Sequence, residues 1–204
     1  MSQTSKFKQR VYPVLFMFVV TVVFITVVSG IYLSTRENIR INEFLFLKRA
    51  ILNAADIAVP EVRGDIEQVF QARVTEVKAP DETTRYYGIR TESGQASGYV
   101  VVVTGAGLWG EITAVMGFTA DLGQLTGIDF TKQNETPGLG ARITEEWFKE
   151  QFRYRSGPFT LVPEGEAAGG REIDAITGAT ITSTAVRNIV NDTIARVPSI
   201  VGRQ

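Results

Sequence analysis

Near the C-terminal end, the run Asp174-Ala175-Ile176-Thr177-Gly178-Ala179-Thr180-Ile181-Thr182-Ser183 gathers small side chains and hydroxyls just ahead of an apolar helical stripe. The stripe is Val186, Ile189, Val190, Ile194 and Val197, spaced as on one face of an amphipathic helix. Gly178 and Ala179 leave the backbone accessible, and Thr177, Thr180, Thr182 and Ser183 bring four hydroxyls close together. The first N–H groups of a helix have no partner inside it and sit at the positive end of its dipole. A helix start flanked by such residues is therefore suited to a phosphate group. The same residues also describe a capped helix start, with Thr182 or Ser183 as the cap.

Two further glycine-rich stretches offer chemistry. Glu135-Thr136-Pro137-Gly138-Leu139-Gly140 reads as a turn between a strand and a helix, with Glu135 and Thr136 as polar groups and Leu139 as an apolar one. Gly107-Leu108-Trp109-Gly110 carries a tryptophan that is either an ordinary core residue or a wall for an aromatic ligand. The chain has no cysteine and no histidine. That removes disulfides, thiolate nucleophiles, Cys-ligated clusters, His-ligated haem and Ser-His-Asp hydrolysis. Redox work here needs an organic cofactor. A net charge of −1 leaves no excess positive charge for phosphate backbones, so nucleic acid is not an expected partner. No dinucleotide glycine fingerprint is present.

The elements that must position these residues follow from periodicity. The middle of the chain is β-rich. Residues 85–91 and 96–103 flank Ser93-Gly94 as one hairpin, and 110–119 and 124–131 flank Asp121-Leu122-Gly123 as another. Residues 35–57 and 62–70 have helical spacing, and 73–77 and 156–162 read as strands. Residues 142–152 read as one helix with Ile143, Trp147 and Phe148 on one face, and 164–170 as a loop. Hairpins with helices before and after predict an α+β domain.

Residues 11–33, VYPVLFMFVVTVVFITVVSGIYL, contain no charge and are long enough to cross a hydrocarbon core of about 30 Å at 1.5 Å per residue. A lipid bilayer is thus an expected partner. The only ionisable side chains in the span are Tyr12 and Tyr32 near its ends, so it holds no ion path of its own. Lys6, Lys8 and Arg10 before it nearly balance Arg36, Arg40, Lys48 and Arg49 after it, and the positive-inside rule is close to a tie.

The run Asp174-x-x-Thr177-Gly178-Ala179-Thr180 resembles the D-x-x-[ST]-G-A-T signature of covalent FMN-binding domains. Glu135 to Gly140 resembles that family's E-T-P-G-L-G loop, and Gly107-Leu108-Trp109 its G-L-W segment, in the same order along the chain. The resemblance is to the G component of the Rnf ion-translocating complex and to the C component of the sodium-pumping NADH:quinone reductase. It implies FMN bound as a phosphoester to Thr180, attached by a separate flavin transferase that takes FMN from FAD. Asp174, Thr177, Gly178, Ala179 and Thr182 would surround the attachment point. Glu135, Thr136, Leu139 and Trp109 would lie against the flavin.

The resemblance further implies the role of a relay. The chain would be an electron-transfer subunit of a translocase, with no catalytic residues of its own and no metal, passing electrons in a ferredoxin:NAD⁺ oxidoreductase coupled to Na⁺ or H⁺ movement. Its partners would be flavin-bearing and iron–sulfur-bearing membrane subunits. The expected layout is a cytoplasmic N-terminus at 1–10, a transmembrane helix at 11–33, a membrane-proximal helix at 34–60 and an FMN-binding domain at 61–204. That domain would lie outside the cytoplasm, on the periplasmic side of the inner membrane. The alternatives are the C component of the quinone reductase and a flavin-free membrane-anchored sensor or assembly module. The intact Thr180 argues against the latter.

Overall fold

The computed structural model describes residues 3–78 and 85–202; of the expected cytoplasmic segment, residues 1 and 2 lie outside the described residues. The chain forms two compact units, Met1–Phe44 and Leu45–Gln204. One helix, α1 (Gln3–Ala54), runs through both. In the first unit it is the one helix among the described residues that is long and apolar enough to cross a membrane, and none of its apolar window is buried within the protein.

The second unit is α+β, as expected. After the end of α1 come α2 (Arg63–Arg73) and five strands: β1 (Val74–Lys78), β2 (Arg85–Arg90), β3 (Ala96–Ala106), β4 (Glu111–Thr119) and β5 (Leu125–Lys132). All neighbours pair antiparallel in the order β1-β2-β3-β4-β5. A 3₁₀ turn (Gly140–Thr144), α3 (Glu146–Glu150), β6 (Thr160–Val162), β7 (Glu172–Asp174) and α4 (Thr180–Ile200) follow. β6 and β7 make a separate parallel pair.

Side chains alternate across a strand, and here both faces of the sheet are covered. One face sends Val101, Ile112, Ala114, Met116 and Phe118 into a core with Ile143 from the 3₁₀ turn, Phe148 from α3, Phe152 from the turn after it, and Val186 and Val190 from α4. The other sends Val74, Tyr87, Ile89, Val100 and Val115 against Ala50, Ile51, Leu52 and Ala54 of α1 and Ile66 of α2. The end of α1 is closed by Ile57 N–H donating to Leu52 O at 2.9 Å, with Asp56 at φ 56°. Thr126 Oγ1 donates to Ala54 O at 2.6 Å. A Cβ on Gly117 would lie 2.0 Å from that same oxygen, so only glycine lets the helix end sit this close to β4.

Two expectations change. Residues 142–152 are a 3₁₀ turn and a five-residue helix, because Glu145 is extended (φ −71°, ψ 146°) between them. Of the expected face, Ile143 and Phe148 are buried and Trp147 is half-buried against the same core. The strand expected over 156–162 is confined to Thr160–Val162.

Candidate functional site

The three glycine-rich stretches converge. Gly107 to Gly110 form the turn between β3 and β4, closed by Gly107 N–H donating to Gly110 O at 2.7 Å. This turn places Leu108 and Trp109 at the hairpin tip. Both of their backbone N–H groups donate to Glu135 Oε1, at 2.9 and 3.1 Å. The other oxygen, Glu135 Oε2, accepts from the Thr182 hydroxyl at 2.5 Å. Glu135 is 4% exposed and Thr182 1%. One buried carboxyl group thus ties the hairpin tip to the loop after β5 and to the first turn of α4.

Gly140 passes directly over this clamp; a Cβ there would meet Thr182 Oγ1 at 2.6 Å and Glu135 Oε2 at 2.9 Å. A buried acceptor that loses its partners, or donors that lose theirs, costs about 1–3 kcal/mol for each group left unsatisfied. Glu135→Ala is therefore expected to destabilise the domain by roughly 2–4 kcal/mol, while Glu135→Gln keeps one carbonyl acceptor and costs less. Denaturant melts of the two variants check this ordering, and equal costs would contradict the clamp.

The last stretch folds as a loop into α4. Asp174 Oδ1 accepts from the backbone N–H groups of Glu166 and Ala167 at 3.1 and 2.9 Å, so its carboxylate shapes the 164–170 loop. Gly178 has φ 77°, a conformation that glycine adopts without strain. Leu139 Cδ2 lies 3.1 Å from the position of a Cβ at Gly178. Thr177 and Thr180 are exposed and Ala179 is buried.

The expected cap is different in the structure. Ala179 is the residue before α4 and gives no side-chain cap. Thr182 is turned to Glu135, and the Ser183 hydroxyl donates to Ala179 O and accepts from Ile176 N–H, both at 3.0 Å. The N–H groups at the start of α4 are thus left free of a side-chain cap, beside the exposed Thr180 hydroxyl.

Around the clamp stand Leu108, Trp109, Leu139 and Ile181, exposed by 45%, 68%, 42% and 63%. Trp109 is not a core residue. Large apolar side chains grouped in the open mark a binding surface. Thr136 is exposed at its edge and folds the turn, its carbonyl accepting from Leu139 and Ala141 N–H, each at 3.1 Å.

Thr180 also lines a groove of about 410 Å³, walled by Leu161, Pro163, Glu164, Ile176, Thr177 and Gly178. Glu164 was not singled out by the sequence, which shows it only as part of a loop. Its Oε2 accepts from Thr177 N–H at 2.7 Å and its Oε1 from Arg142 Nη2 at 3.3 Å. The Thr177 amide, then the Thr177 hydroxyl, hold this carboxylate below its usual range, with Arg142 adding to the effect. A depressed carboxylate keeps its contacts through the ordinary acidic range and loses them only as the pH falls through its lowered value.

An exposed hydroxyl at an uncapped helix start, next to exposed apolar side chains, fits a phosphate-bearing aromatic group. Comparison with known proteins agrees. The FMN-binding domain family matches residues 107–195, from the β3–β4 turn into α4. The G component of the Na⁺-translocating ferredoxin:NAD⁺ oxidoreductase complex of Acetobacterium woodii is 37% identical over 167 residues, covering 79% of this chain and 77% of that one. The C component of the Na⁺-translocating NADH-quinone reductase of Yersinia pestis is 30% identical over 113 residues, covering 52% of this chain but only 42% of its own. The crystal structure of the corresponding C component from Parabacteroides distasonis has the same fold, with a TM-score of 0.67 at 24% identity over 83% of this chain and 98% of that one. The chain belongs to the FMN-binding family of G components of ion-translocating oxidoreductase complexes.

Proposed function

We propose that this chain is the electron-relay subunit of a ferredoxin:NAD⁺ oxidoreductase that couples electron transfer to Na⁺ or H⁺ movement, and that it carries FMN as a phosphoester on Thr180. The observation that carries the reading is the similarity to the Acetobacterium woodii G component across more than three-quarters of both chains. Similarity to the Yersinia pestis C component spans less of either chain and at lower identity, so the quinone-reductase reading is the weaker one.

When bound, FMN supplies one- and two-electron redox chemistry. The chain's own residues hold and orient it. Thr180 would provide the attachment oxygen, and the N–H groups at the start of α4, which no side chain caps, would hold the phosphate. Trp109 and Leu139 offer apolar contact to the ring and Thr136 a polar one, while Glu135 and Thr182 fix the loops that carry these side chains. Gly178 and Ala179 keep the backbone around the attachment point thin, and Asp174 and Thr177 hold the loop that leads to it. A covalent bond removes dissociation, so one ring edge can stay exposed for a partner's cofactor without deep burial. Substrate sites and the ion path belong to neighbouring membrane subunits, and a flavin transferase matures the chain.

Intact mass of the protein purified from its native host tests the attachment. The expected value is the polypeptide plus one FMN less water, with a fluorescent band on a denaturing gel. An unmodified mass with FMN released on denaturation would leave binding but remove the covalent bond. The domain assignment, with residues 11–33 in the bilayer and the FMN domain outside the cytoplasm, predicts that protease added to intact spheroplasts digests the domain. Protection until lysis would place it inside.

A further inference from the structure

We propose that Glu164 is a positioning residue for modification of Thr180: its carboxylate holds the Thr177 amide and so sets the loop that presents the Thr180 hydroxyl. The inference rests on the reading that Thr180 is the FMN acceptor. It concerns a residue outside the three glycine-rich stretches.

The loop from 174 to 180 is held through five backbone N–H groups and the Ala179 carbonyl. Asp174 N–H donates to Gln151 Oε1 at 2.6 Å, Ala175 N–H to Val162 O at 2.8 Å, Ile176 N–H to Ser183 Oγ at 3.0 Å, Thr177 N–H to Glu164 Oε2 at 2.7 Å and Ala179 N–H to Ile176 O at 2.9 Å. The Asp174, Ala175 and Ile176 contacts precede Thr177, the Ala179 N–H contact is internal to the loop, and Ala179 O accepts from Ser183 N–H and Oγ of α4, both at 3.0 Å. Only Gly178 and Ala179 separate Thr177 from Thr180, and Gly178 has the softest backbone in the segment. With Thr177 released, rotation at Gly178 would shift Thr177 in the groove beside Thr180, while Ala179 stays held to α4.

Glu164 is itself fixed in place. Arg142 Nη2 donates to its other oxygen at 3.3 Å. The Arg142 guanidinium in turn lies over the Trp147 ring at 5.2 Å, and its Nε donates to Glu145 Oε2 at 3.3 Å. Trp147 Nε1 reaches that same Glu145 oxygen at 2.6 Å. The chain of contacts runs from α3 through the 3₁₀ turn to the acceptor loop. A carboxylate in the groove beside Thr180 repels phosphate, so its role is to hold the loop and not to bind the incoming group.

The step it serves balances without any redox change. Thr180 Oγ bonds to the FMN-side phosphorus of FAD, the P–O bond to AMP breaks, and AMP leaves with the electron pair. The hydroxyl proton passes to a base on the transferase. A loop held ready spends more of its time in the competent arrangement, and loss of the hold lowers the rate by the lost population.

The test uses the full chain in detergent, purified from a host without the transferase and then mixed with purified transferase and FAD. Glu164→Ala is expected to slow FMN incorporation roughly three- to tenfold and to speed hydrogen exchange at the Thr177 amide. Glu164→Gln retains an acceptor oxygen and should restore most of the rate and the protection. A wild-type rate in Glu164→Ala overturns the proposal, as does a Gln variant as slow as Ala with the Thr177 amide still protected. If wild type takes up no FMN, or Thr180→Val takes it up equally, the acceptor reading itself falls and this inference with it.

Discussion

Thr180→Val is expected to give a folded, membrane-inserted chain that carries no covalent flavin, within a complex that assembles but no longer reduces NAD⁺ from ferredoxin. Valine keeps the shape of threonine and removes only the hydroxyl. Thr180 is the first residue of α4 and is exposed, so the change disturbs no core contact. Its helix-propensity cost is a few tenths of a kcal/mol, small against a total stability of about 5–15 kcal/mol. The other hydroxyls in the run are poor substitutes as acceptors. Thr182 is buried and bonded to Glu135, and Ser183 is buried and shared between Ala179 and Ile176. With no cysteine or histidine in the chain, no second redox centre stands in for the flavin. The measurements are the mass and in-gel fluorescence of the variant, and the NAD⁺ reduction rate in membranes. A wild-type rate without covalent flavin would take the flavin off the electron path. Covalent flavin in the variant would move the attachment site.

What the sequence made legible, and what it hid, divides along the range of the interaction. The hairpins around Ser93-Gly94 and Asp121-Leu122-Gly123 are local. They formed as expected because the turn chemistry lies within a few residues: Gly94 has φ 82°, and Asp121 Oδ1 accepts from Gly123 N–H at 3.1 Å. The helix over 142–152 went astray because apolar spacing reports which side chains face the core, and a 3₁₀ turn followed by a short helix satisfies it equally well.

The cap failed for a longer-range reason. Thr182 has a capping residue's chemistry, but its partner Glu135 is 47 positions away. Nothing in local spacing encodes that pairing. Glu164 was hidden in the same way. It lies in a loop of Glu, Ala and Gly, and its importance comes from Thr177 and Arg142, 13 and 22 positions away. The identity of the three glycine-rich stretches was visible in the sequence. Glu135 was visible too, as a polar group of one stretch, but its bonds to the other two became visible only in three dimensions.

A fragment beginning at residue 45 is expected to fold cooperatively, and one beginning at residue 61 is not. The compact unit starts at Leu45, well before the sequence-based domain start at 61. The difference lies in the last turns of α1. Ala50, Ile51, Leu52 and Ala54 are all 2% exposed or less, and they cover Val100 and Val115 on the sheet face opposite α4. Burying an Ile or Leu side chain contributes about 1.5–3 kcal/mol, so Ile51 and Leu52 alone approach the whole stability of a marginal domain.

Polar contacts go with them. Asn53 Nδ2 donates to Asp129 Oδ2 at 2.8 Å, Thr126 Oγ1 to Ala54 O at 2.6 Å, and Arg153 Nη1 to Asp56 Oδ1 at 2.9 Å. Without these residues the sheet has one apolar face in water, which invites association. The 45–204 fragment should give a sharp thermal transition and fixed near-ultraviolet dichroism. The 61–204 fragment should lose both and aggregate. The loops of the candidate site pack on the opposite face of the sheet, so a loss of FMN binding in the shorter fragment would come from global unfolding and not from a missing residue of that site. If 61–204 melted within a few degrees of 45–204, the end of the membrane helix would be an accessory to this domain. If it does not, that helix end is part of the domain's core.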